Sequence, residues 1–125
     1  MNPLYLLLLA LIFNTPVMKA QQWTWTQKNS IPVASGTYSA VSFSINNKIY
    51  VAGGCSSGLT SNYNNTWEYD GLSDSWTQKV NMPMNGTYGS SSFVLNNEGY
   101  VIGGWHRDNS SSSSPVSFNY KYNPY

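Results

Sequence analysis

In VSFSI, residues 41–45, apolar Val41, Phe43 and Ile45 alternate with Ser42 and Ser44. A period of two is the signature of a half-buried β-strand, and the pattern extends it over residues 38–45. Asn46-Asn47 follows and predicts a tight hairpin turn, because Asn tolerates positive φ. KIYVA, residues 48–52, is apolar without alternation, which predicts a strand buried on both faces and ended by Gly53-Gly54. NTWEYD, residues 65–70, sets Trp67 and Tyr69 on one face and Glu68 on the opposite, solvent-facing side. Asp70-Gly71 and Ser73-Asp74 turn the chain into a fourth strand, SWTQKV, residues 75–80. Pro83 then breaks strand pairing. No stretch after the first twenty residues carries a helical period.

The cadence then starts again. WTQK at 25–28 returns at 76–79, Pro32 as Pro83, GTY at 36–38 as 86–88, and Ser42-Phe43 as Ser92-Phe93. NNKIYVAGG, residues 46–54, returns as NNEGYVIGG, residues 96–104. With a one-residue gap near Ser35, more than half of the aligned positions are identical, so this is an internal repeat. The second copy predicts strands over residues 88–95, 98–102 and 116–122, with Phe118, Tyr120 and Tyr122 alternating against Ser117, Asn119 and Lys121. Residues 23–28 read as one more strand of the fourth type, placed before the first copy.

Composition narrows the class. The 125 residues are 9% charged and 15% aromatic, which suits short strands joined by turns and does not suit a disordered chain. The net charge is +1 and no basic run exists, so nucleic acid is set aside as a partner. LYLLLLALIF, residues 4–13, has the length of a signal-peptide core and is too short to span a bilayer. A signal peptide over residues 1–20 is expected, with Gln21 opening a mature chain that has no stable membrane span and is secreted, periplasmic or on the cell surface. Cys55 is the only cysteine, so neither an intrachain disulfide nor a thiolate metal cluster can form. The N-x-Ser/Thr sites at Asn64, Asn85 and Asn109 fit chance in a chain so rich in Asn, Ser and Thr.

The arrangement resembles the kelch repeat, a double glycine followed by a Tyr and a Trp six residues apart. The matching residues here are Gly53, Gly54, Tyr69 and Trp76, then Gly103, Gly104 and Tyr122. The cadence is similar to exported, galactose-oxidase-like kelch proteins. The resemblance implies an all-β fold, with four-stranded antiparallel sheets as blades of a β-propeller. On that reading residues 21–37 are a strand completing a blade, plus a linker. Residues 38–83 are the first blade, and residues 84–125 a second that stops before its fourth strand. Closed propellers have four to eight blades, so the chain is expected to be part of a longer product, or to need other chains to close a ring. A Trp or Tyr buries on the order of 150–250 Å², so Trp67, Tyr69 and Trp76 are expected to be packing residues.

Chemistry is thin. A copper radical site of the galactose-oxidase kind needs two His ligands and a Tyr–Cys cross-link, whereas this chain has one His and one Cys. The catalytic groups of a sialic-acid epimerase, another kelch enzyme, match no motif here. No catalytic residue, metal or cofactor is therefore expected. GGWHRDN, residues 103–109, holds Trp105, His106 and Arg107, which are ligand-loop candidates: a His can act as base and an Arg can hold a carboxylate. Three adjacent residues of an extended loop do not converge, so the segment reads as an exposed loop, and SSSSSP, residues 110–115, as a flexible spacer. Cys55 reads as a small, partly buried thiol. Glu68, Asp70 and Asp74 lack calcium-loop spacing and read as turn formers and surface charge.

The resemblance implies an exported scaffold that binds protein or glycan through blade-end loops. The alternative is part of a carbohydrate-active kelch enzyme. A cytosolic kelch adaptor for a ubiquitin ligase is disfavoured by the apolar N-terminus.

Overall fold

The computed structural model describes residues 20–108 and 112–125. Most of the expected signal peptide, and Asn109, Ser110 and Ser111 of the expected loop and spacer, lie outside the described residues. Nine strands and no helix are found among the described residues: β1 (Val41–Ile45), β2 (Lys48–Ala52), β3 (Thr66–Asp70), β4 (Ser75–Lys79), β5 (Ser91–Leu95), β6 (Glu98–Ile102), β7 (Trp105–Arg107), β8 (Ser113–Pro115) and β9 (Asn119–Tyr122). They form a four-stranded sheet β1-β2-β3-β4, a three-stranded sheet β5-β6-β9 and a two-stranded arm β7-β8, all antiparallel. This is the all-β, open arrangement of propeller blades that the sequence predicts.

The two Asn-Asn hairpin turns work as the sequence requires. Asn46 and Asn47 have φ of 49° and 61°, and Asn96 and Asn97 have φ of 52° and 60°. Two consecutive positive φ values give the turn that matches the twist of the flanking strands. The double glycines lie where the backbones approach each other. Gly54 (φ 92°) sits beside the Tyr38–Cys55 bridge, and a Cβ there would lie 2.9 Å from Tyr38 O. Gly104 (φ 106°) repeats this against Tyr88 O at 2.8 Å, beside the Tyr88–Trp105 bridge.

The core lies between the two larger sheets. Val41, Phe43, Ile45, Tyr50 and Ala52 share one face of the first sheet and are buried, with Met82 and Val101 completing the cluster. The second sheet lays Gly99, Val101 and Tyr122 on that face. The Tyr122 ring lies 5.4 Å from Tyr50 and 6.2 Å from Phe43, while Phe43 stacks on Tyr50 at 5.5 Å. Such ring pairs add about 0.5–1.5 kcal/mol each beyond their burial. Gly99 makes the approach possible, since a Cβ there would lie 2.7 Å from Cζ and 2.8 Å from Cδ2 of Phe43, and closer still to Cε2.

Several expectations need correction. Residues 23–28 join no strand, and Trp25 is fully exposed; an extended segment without a neighbouring edge has nothing to bond. Residues 38–40 and 88–90 precede their strands, held by the isolated bridges of Tyr38 and Tyr88. The third strand of the second copy begins at Asn119. KIYVA is not buried on both faces: Tyr50 is buried while Ile49 is 46% exposed, because no sheet covers the Ile49 side. Glu68 is no surface charge. Its side chain is 16% exposed and bonded to Tyr50 Oη at 2.7 Å and Lys79 Nζ at 3.1 Å.

Candidate functional site

The first repeat is spliced to the second by backbone bonds around its double glycine. Gly54 N donates to Thr87 O at 2.7 Å and Gly89 N to Ser39 O at 2.9 Å. Tyr63 N returns to Gly54 O at 2.8 Å, and Met82 N reaches Asn64 O at 2.8 Å. The β2–β3 loop, the β4–β5 crossover and the β7–β8 arm therefore meet at one end of the sheets. At that junction they enclose a cleft of about 400 Å³, lined by Thr60, Ser61, Asn62, Asn85, His106, Arg107 and Asp108.

The arm overturns the reading of residues 103–109 as a plain loop and of 110–115 as a spacer. Trp105 pairs with Pro115, His106 with Ser114 and Arg107 with Ser113. Tyr88 Oη bonds Ser113 Oγ at 2.8 Å, and Trp105 exchanges backbone bonds with Tyr88 at 2.9 and 3.0 Å. Held this way, His106 and Arg107 are half-buried and converge, with Asp108, on the cleft wall. Trp105 is 46% exposed and does not line the cleft.

His106 Nδ1 lies 2.8 Å from Gly86 O and 3.2 Å from Asn62 Nδ2. A carbonyl only accepts, so Nδ1 carries the hydrogen and donates to Gly86 O. That leaves a lone pair on Nε2 of the neutral ring. The Asn62 amide then spends its N–H on Arg107 O, 2.7 Å away. Its Oδ1 is buried and has no hydrogen-bond partner. An unmade bond at a buried carbonyl costs about 1–3 kcal/mol. The Arg107 guanidinium donates to Leu59 O, fixing the β2–β3 loop against the arm. Cys55, wholly buried, makes isolated backbone bridges to Tyr38 and to Asn62, and burial pushes its thiol above the usual range despite nearby Arg107. It is more deeply buried than the sequence suggests.

The remaining motif residues are structural in position. Tyr69 and Trp76 face each other across β3 and β4 with rings 4.9 Å apart. Trp67 is half-buried in a small crevice with Ile31, Val33 and Tyr63, its Nε1 without a partner. Tyr122 packs in the core, and Gly53, Gly54, Gly103 and Gly104 hold the strand ends at positive φ. Asn62 was not legible as a site residue, because the contact that singles it out spans 44 residues. Among the described residues no group of three or more His, Cys, Asp and Glu could hold a metal ion, and no helix is long and apolar enough to cross a membrane.

Comparison with known proteins bears on the fold. No curated protein matches the chain. A solved structure titled "Structure of YjhT" matches 66% of this chain at 30% identity and a TM-score of 0.57. The match covers 25% of that structure, so the chain spans about a quarter of its length. Residues 36–83 match the kelch motif. That stretch runs from the first GTY, through the double glycine and the Tyr69–Trp76 pair, to Pro83. With the four-stranded sheet and its recurrence in the second copy, this match shows that residues 36–83 form a kelch repeat.

Proposed function

We propose that this kelch-repeat scaffold is exported and binds a glycan in the cleft between the β2–β3 loop and the β7–β8 arm. One observation carries the reading: the buried Asn62 Oδ1, without a partner, sits on a residue lining a polar cleft of about 400 Å³. A sugar hydroxyl supplies the donor that this oxygen lacks once the Asn62 amide turns it towards the cleft. The hydroxyls of Thr60 and Ser61, the Asn85 amide and the lone pair on His106 Nε2 can pair with further hydroxyls. An apolar ligand would strand those groups at about 1–3 kcal/mol each. The apolar run at residues 4–13 supports export.

The test is amide chemical-shift mapping of the full chain with a panel of neutral and acidic mono- and oligosaccharides. Binding is expected to move the amides of residues 60–62, 85 and 106–108. His106→Phe, which removes the Nε2 acceptor, is expected to weaken it at least tenfold. Shifts confined to other loops, or none across the panel, would refute the reading. Export is tested by the intact mass of the native product, expected to begin at Gln21.

A further inference from the structure

The seam between the two repeats needs a glycine at 86. A Cβ there would lie 2.6 Å from Tyr63 O and 2.9 Å from the Asn62 carbonyl carbon, so no side chain fits. Its φ of 95° also favours glycine. The residue before it is Asn85, so this requirement of the fold creates the only Asn-Gly pair in the sequence. The first copy has Ser35-Gly36 at the same place, and Gly36 N donates to Val33 O at 2.8 Å. Gly86 N meets no acceptor among the described residues.

Asn85 is exposed and lines the cleft of about 400 Å³, where water has room to reach its amide. An Asn side-chain carbonyl is an electrophile one residue ahead of a backbone nitrogen. At most Asn residues the next side chain crowds the approach of that nitrogen, and glycine has no side chain. A hydrogen-bonded nitrogen must first give up its bond, and Gly86 N has none to give up.

We propose that Asn85 is a self-modifying site, whose amide is lost to the backbone nitrogen of Gly86. Gly86 N attacks Asn85 Cγ and closes a succinimide ring. The side-chain nitrogen leaves as ammonia and takes the Gly86 proton with it. Water then adds to a ring carbonyl and opens the ring. Opening at Cγ leaves Asp at position 85. Opening at the main-chain carbonyl leaves isoaspartate, with the main chain rerouted through Cγ. Water is the sole co-reactant.

Both products alter the cleft. Each puts a carboxylate on a wall that held a neutral amide. Isoaspartate also adds a methylene to the main chain just ahead of two acceptors. Gly86 O accepts from His106 Nδ1 at 2.8 Å, and Thr87 O accepts from Gly54 N at 2.7 Å. Chemistry at position 85 therefore displaces bonds that join the repeats.

The experiment holds the full chain in mildly alkaline buffer and digests it at intervals. The peptides are weighed, and isoaspartate is marked by the methyltransferase that esterifies it. Asn46, Asn47, Asn96 and Asn97 are internal controls: all are exposed and at positive φ, but they precede Asn, Lys, Asn and Glu. Asn85 is expected to convert at least tenfold faster than any of them, with isoaspartate in the product. In urea its rate is expected to stay within tenfold of the folded rate, since the fold neither shields the amide nor ties the nitrogen. Asn85→Gln, which can close only a slower, larger ring, is expected to leave position 85 unmarked. A smaller ratio to the controls, a rise of more than tenfold in urea, or a mark at position 85 in Asn85→Gln would overturn the proposal.

Discussion

Replacing Gly99 by Ala puts a methyl into the seat of the Phe43 ring. The new Cβ would stand 2.7 Å from Cζ and 2.8 Å from Cδ2, and closer to Cε2, well inside van der Waals contact. Phe43 is 7% exposed and already stacked on Tyr50 at 5.5 Å, so the ring has little room to retreat. Overpacking of this kind costs about 1–3 kcal/mol. Losing a strand glycine returns roughly 0.5–1 kcal/mol of backbone entropy. The net expectation is a loss of about 1–2 kcal/mol in denaturant unfolding followed by tryptophan fluorescence. The sign is the sharper test. With Phe43→Leu in place the seat is vacant, and Gly99→Ala is expected to stabilise by up to about 1 kcal/mol. A Gly99→Ala variant as stable as the wild type, or equal effects in both backgrounds, would refute the packing argument.

Other outcomes follow from the same contacts. Burial raises the pKa of Glu68, but the Tyr50 hydroxyl and Lys79 outweigh it, so the carboxyl lies below its ordinary range. A depressed folded pKa gives stability that is present above about pH 4.3 and lost as pH falls through the folded value; Glu68→Gln should flatten that acid limb. Tyr50 is shifted the other way, by burial and then by Glu68, far above its ordinary 10.0. Its contribution is complete below about pH 10 and is lost as pH rises towards the folded value, so Tyr50→Phe should flatten the alkaline limb of the melting profile. Asn47, at φ 61°, is expected to gain about 0.5 kcal/mol when changed to Gly and to lose about 1–2 kcal/mol when changed to Val, read by thermal melting. Cys55 is 0% exposed with its thiol pushed up by burial, so a thiol reagent should label it no faster than the chain opens.

Strands whose alternation was local were legible. Val41, Phe43 and Ile45 announced both their strand and its buried face, and the Asn pairs marked the turns between β1 and β2 and between β5 and β6. The second cycle of the repeat fixed the equivalence of Tyr69 and Tyr122. What was hidden depends on distant partners. WHR and SSP carry no alternation, and their pairing is set by the bridge from Trp105 back to Tyr88. Glu68 looks like a surface charge by its position in TWEYD; only the stacking of the second sheet turns its side into an interior. Asn62 sits in a polar loop, and its contacts with His106 and Arg107 span 44 and 45 residues. Trp25 reads as a strand residue because its segment copies β4, yet pairing needs an edge that residues 23–28 lack in their own chain.

The two kelch sheets stack with Gly99 under the Phe43 ring. The most direct measurement is a through-space magnetisation-transfer spectrum of the full chain in solution. Cross-peaks from the Phe43 ring to the Gly99 Hα protons and to the Tyr122 ring are expected, with the Gly99 Hα pair shifted upfield by the ring current. Gly99 Hα shifts at unstructured values, without a Phe43 cross-peak, would contradict the account.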